Sequence, residues 1–120
     1  MNTDLLNISP VLPSSHIDRD VTWYIDNVGF TLVHKDSMYA VLKRDKLYIH
    51  LQWHANTDDD PLLGGSVIKI FVKNIQPLFD EFVKRGTVNK NKLRLKTDWG
   101  TNEFGFYDLN NNAIFFVEDI

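Results

Sequence analysis

Apolar residues Ile17, Val21, Tyr24, Ile25 and Val28 recur at intervals of three and four. That spacing lines one face of an α-helix. Asp18 stands where such a helix would be capped and Gly29 where it would stop. A short carboxylate can accept from the free N–H groups of a first turn, and glycine takes the left-handed conformation that closes a last one. The stripe Ile75, Leu78, Phe79, Phe82 and Val83, set between Asn74 and Gly86, predicts a second helix in the same way. Elsewhere the period shortens to two. In residues 47–53, Leu47, Ile49, Leu51 and Trp53 alternate with Tyr48, His50 and Gln52, as in a strand with one face buried. Segments 5–13, 30–35, 38–44, 66–73, 92–97, 102–108 and 113–118 also read as strands, with Asp36-Ser37 and Asp45-Lys46 as tight connections.

The order of these elements is βαβββ, twice, with a repeat of roughly sixty residues. One helix cannot cover both faces of its sheet. Two such modules therefore predict an α+β fold in which helices pack on the outer face of a curved mixed sheet and the other face curls around a cavity. The expectation is one domain over residues 1–120, with modules at about 5–54 and 65–120. The cavity is the natural place for a ligand.

Composition narrows the chemistry. The 120 residues include no cysteine, which excludes disulfides, thiolate catalysis and zinc ribbons. A net charge of −3 leaves no basic footprint for nucleic acid. No stretch is long enough to span a bilayer, and the first residues lack the basic start and apolar run of a signal peptide. A cytoplasmic protein with neither nucleic-acid nor membrane partners is expected. His50 and His54 lie on a predicted strand, where a separation of four residues places them about 13 Å apart, too far to share one ion. His16 and His34 read as solvated. No serine sits in a nucleophile elbow.

Trp99 is the anomaly, a large aromatic beside Gly100 at a predicted turn. It also belongs to a pattern. Trp23-Tyr24-Ile25-Asp26-Asn27-Val28-Gly29-Phe30, and Trp99-Gly100 followed by Glu103-Phe104, Asp108 and Asn112, resemble the vicinal-oxygen-chelate superfamily, and most closely its bleomycin-resistance binding proteins. The resemblance runs from about Ile8 to Glu118. The chain departs from that branch in having Asp108-Leu109-Asn110-Asn111-Asn112 where a proline and a glycine are usual. Asn111 or Asn112 can take the left-handed turn position instead. One extra residue also separates Trp99 from Glu103.

The resemblance implies specific positions. Enzymes of the superfamily hold a divalent metal, and their ligands would fall at Ser9, at Gly65 or Ser66, and at Phe115. None of these side chains is a normal metal ligand, so neither a metal nor another cofactor is expected. In the bleomycin-binding branch, two rings sandwich a planar part of the drug in a groove between subunits. Trp99 and Tyr39 align with those rings, Val41 shares the face of Tyr39, and Tyr48, His50, Lys69 and Glu103 fall nearby. The reading is a metal-free sequestering protein, a homodimer binding a small planar or glycopeptide-like ligand. Lys69 could pair with Glu103. The alternatives are a metal-dependent glyoxalase-, lyase- or dioxygenase-like enzyme, and an interaction module whose groove its own side chains fill.

Overall fold

A computed structural model describes residues 3–62 and 65–120. The first module holds β1 (Val11–Ser14), α1 (Ile17–Val28), β2 (Thr31–Lys35), β3 (Tyr39–Arg44) and β4 (Leu47–Trp53). The second holds β5 (Val67–Phe71), α2 (Ile75–Arg85), β6 (Thr101–Tyr107) and β7 (Ala113–Asp119). The strands form two mixed sheets, ordered β1-β4-β3-β2 and β5-β7-β6, with β1 and β5 parallel to their neighbours. This is the expected α+β fold of two modules, with the curved sheet divided in two.

Each helix buries its apolar stripe on one sheet face. Val21, Tyr24 and Val28 of α1 join Leu12, Ala40, Leu42, Ile49 and Leu51 in the core. Phe82 of α2 packs 5.0 Å from Phe116 and 5.5 Å from Phe104 between ring centroids. Gly29 and Gly86 end the helices at φ 74° and 81°. α1 begins two residues earlier than expected, with His16 rather than Asp18 as its N-cap. The Ser14 hydroxyl accepts the His16 N–H, which leaves Asp18 free to bond Lys35 of β2 at 2.7 Å. Asn74 caps α2 by position only. The carboxylate that accepts its N–H and that of Ile75 belongs to Glu118 on β7.

Two predicted strands are corrected. Residues 5–10 form no strand, and Leu5, Leu6 and Ile8 stand almost fully exposed. Pairing with β4 starts only at the Pro10 carbonyl, which accepts the His50 N–H at 2.9 Å. Residues 92–97 contribute a single bridge, Arg94 to Glu103, because Lys96 turns to φ 50° and breaks the extension.

A buried polar cluster joins the modules. The Tyr24 hydroxyl of α1 donates to Asp108 Oδ2 at 2.6 Å. Asp108 Oδ1 accepts the N–H groups of Asn110 and Asn112, shaping the β6–β7 turn, with Asn111 at φ 63°. From that turn, Asn110 donates to Asp20 of α1 at 2.7 Å, and Asn112 donates to the Pro13 carbonyl of β1 at 3.1 Å.

The chain stays open. Its radius of gyration is 15.6 Å, against about 13.6 Å for a compact domain of this length. Its accessible surface is 8019 Å², roughly 1,300 Å² above that of a compact monomer of this mass. The excess lies in the N-terminal arm and in the sheet faces turned away from the helices, where Val67 and Phe71 are 59% and 62% exposed.

Candidate functional site

The open faces follow from strand alternation. On the first sheet Ala40, Leu42, Ile49 and Leu51 point into the core, so Tyr39, Val41, Tyr48 and His50 point the other way. The register sets Val41 against His50 and leaves Tyr39 on the diagonal. The Tyr39 hydroxyl and His50 Nδ1 share a hydrogen bond at 2.7 Å, with the rings edge-on at 5.4 Å. The imidazole thereby steadies the tyrosine ring. Tyr48 lies one row along on the same face, with the Lys43 ammonium 5.5 Å from its ring.

On the second sheet, Phe104, Phe116 and Ile114 face the core, while Glu103, Gly105, Phe115 and Lys69 occupy the opposite face. Trp99 sits at the turn before β6, and its ring is 56% exposed. Its indole N–H donates to Glu103 Oε2 at 3.3 Å. That oxygen also accepts from the Thr101 hydroxyl at 2.9 Å. The Arg94 guanidinium lies 5.0 Å from the Trp99 ring centre and 3.8 Å from Glu103 Oε1. The carboxylate is buried and fully used. The ring meets a cation and a fixed acceptor, and over half of its surface is left to solvent. Glu103 therefore takes Arg94 as its partner, not Lys69.

The structure thus distributes the six candidate residues over three places. Tyr39 and His50 form one pair, and Trp99 and Glu103 another. Tyr48 and Lys69 line a crevice of about 470 Å³ between β4 and β5, together with Ser9. No described cavity is lined by both Tyr39 and Trp99.

The metal-ligand positions carry other work. Ser9 lies in the arm beside that crevice. Gly65 is exposed at φ 94°, and the Ser66 carbonyl accepts the Ala113 N–H. Phe115 lays its ring where a Gly105 side chain would be, so any Cβ there would overlap it. Among the described residues no three His, Asp or Glu side chains converge to hold an ion.

Sequence reasoning missed Arg94, which the strand pattern alone does not connect to Trp99. It also gave Asp108 and Asn112 no task. Their spacing across a polar turn was the available signal, and their partners Tyr24 and Pro13 lie far away in sequence.

No protein-family model matches the sequence. A bleomycin resistance protein of Geobacillus stearothermophilus is 28% identical, with the alignment covering 97% of this chain and 98% of that protein. Two solved structures superpose over nearly the whole chain. The bleomycin-binding protein of bleomycin-producing Streptomyces verticillus, complexed with copper(II)-bleomycin, gives a TM-score of 0.77 at 18% identity, covering 96% of this chain and 97% of that one. A glyoxalase/bleomycin resistance protein/dioxygenase from Nocardioides gives 0.76 at 13% identity, covering 99% and 87%. The chain has the fold of the vicinal-oxygen-chelate superfamily. Its sequence is similar end to end to bleomycin-resistance proteins. No helix is long and apolar enough to cross a membrane.

Proposed function

We propose that the chain is a cytoplasmic, metal-free sequestering protein of the bleomycin-resistance type, working as a homodimer over one domain of two modules. The observation that carries this reading is Trp99, a ring held by Glu103 and Arg94 with over half of its surface exposed. Tyr39, held by His50, supplies a second fixed ring on the other module. Fixed aromatics offer stacking area at little entropic cost, about 0.5–1.5 kcal/mol per ring beyond burial. Sequestration needs affinity and no chemistry. Serine, glycine and phenylalanine at the metal-ligand positions suit a binder better than an enzyme. The excess surface of roughly 1,300 Å² is in the range that a subunit interface buries, and a groove across two copies would bring Tyr39 and Trp99 to one planar or glycopeptide-like ligand.

Two measurements on the purified protein test this. Light scattering after size exclusion reads the oligomer, and calorimetry with metal-free and copper-loaded bleomycin reads the ligand. A dimer binding about one drug per subunit, with binding lost in Trp99→Ala, is expected. A monomer, or a dimer that ignores both forms of the drug at millimolar concentration, refutes the bleomycin-type reading. A stoichiometric bound metal refutes the metal-free one.

A further inference from the structure

The crevice between β4 and β5 has chemistry of its own. Its apolar walls include Phe30, Ile49 and Ile70, and its polar ones Lys46, Tyr48 and Lys69. No Asp or Glu lines it. Five other cations are matched with carboxylates: Arg19 with Asp20, Lys35 with Asp18, Arg44 and Arg85 with Glu81, and Arg94 with Glu103. Lys46 and Lys69 have no such partner among the described residues. Two unmatched ammonium groups thus stand beside a hydrocarbon-walled space, in a chain whose net charge is −3.

We propose that this crevice is a binding site for a small amphipathic monoanion, a flat hydrocarbon body carrying one carboxylate or sulfonate. The volume of about 470 Å³ suits a body of one or two fused rings. Apolar walls shelter the hydrocarbon body from water, and the two exposed lysines beside them attract the anion. Tyr48 can donate to the same anion. The charge pattern selects by sign. A cation of the same shape meets two like charges and no acceptor carboxylate. The site goes beyond sequestration at the aromatic pairs and does not depend on it. All of its walls come from one chain, and neither Tyr39 nor Trp99 lines it.

The test uses three probes of one shape: 2-naphthoate, 2-naphthamide and 2-naphthylmethylammonium. Each is titrated calorimetrically into the wild-type chain and into Lys46→Gln, Lys69→Gln, Lys69→Arg and Trp99→Ala, after circular dichroism has confirmed their folds. Naphthoate is expected to bind at least tenfold tighter than the amide, with the cation weakest. Either glutamine variant should cut naphthoate affinity at least threefold, Lys69→Arg should restore it, and Trp99→Ala should leave it unchanged. The proposal is overturned if the amide or the cation binds as tightly as naphthoate, or if none of the three binds at millimolar concentration. It is also overturned if Trp99→Ala abolishes naphthoate binding while both glutamine variants retain it, which would place the anion on the tryptophan.

Discussion

Replacing Tyr24 by phenylalanine removes one oxygen from the centre of the polar cluster. The hydroxyl donates 2.6 Å to Asp108 Oδ2, which then retains only the Asn112 amide at 2.8 Å. The ring stays packed against Phe30 and Trp23, so the transfer and cavity costs are small. What is lost is a hydrogen bond to a buried carboxylate, about 1.5–3 kcal/mol. For a chain of 120 residues that corresponds to a fall in Tm on the order of 5–15 °C. Urea unfolding followed by circular dichroism measures it, and a cycle with Asp108→Ala isolates the pair. The single changes should not add, because each removes the same bond. Burial and the neighbouring Asp108 push the Tyr24 phenol far above its ordinary value near 10. Its neutral form therefore stabilises the fold fully below about pH 10, and that contribution is lost as pH rises further. Tyr24→Phe should remove this alkaline component. A loss under 0.5 kcal/mol at neutral pH, or strictly additive single changes, would refute a latch between modules.

Trp99→Ala should lower Tm by no more than a few degrees, since the ring is mostly exposed. A large fall in a thermal melt would make the ring structural and remove the basis of the stacking reading. Gly105→Ala forces Phe115 off its seat and should cost about 1–3 kcal/mol in urea unfolding. The hydrogen bond from Arg44, helped by Arg85, holds the Glu81 carboxyl below its usual value. Its stabilisation is present above the ordinary carboxylate range and lost as pH falls through the lower folded value. Glu81→Gln should thus cost about 0.5–1 kcal/mol at pH 7 and almost nothing at pH 2, read from paired melts. The open faces predict a further change: mutating Val67, 59% exposed and outside the crevice, to lysine should weaken self-association in sedimentation without lowering the monomer's stability.

How far the chain could be read without its structure differs from element to element. Both helices announced themselves through apolar stripes and terminal glycines, and β4 through strict alternation, because each depends on neighbours within a turn or two of chain. Residues 5–10 are apolar enough to read as strand and form none, since pairing needs an edge that the local pattern does not contain. The 92–97 segment fails for a similar reason at Lys96, whose positive φ lets its N–H donate to the Asn102 side-chain oxygen. Of the candidate residues, Tyr48 and His50 share a face by alternation, while Tyr39 meets His50 only through the register of β3 on β4. Trp99 was visible as a misplaced aromatic and through the resemblance, but the groups that hold it, Arg94 and Glu103, come from two separate segments.

The sequence by itself therefore determined the two modules, their helices and the faces that most of their strands bury, because periodicity encodes which side of a local element avoids water. It also showed which residues stand where the resemblance would put metal ligands, since side-chain chemistry at a position does not depend on folding. Only the tertiary structure decided which groups meet. Tyr24 reaches Asp108 across 84 residues, Lys69 is separated from Glu103 by Arg94's claim on that carboxylate, and Lys46 and Lys69 come to one crevice from different modules. Such pairings depend on how the modules dock, and that is set by long-range packing and buried hydrogen bonds, which leave no period along the chain.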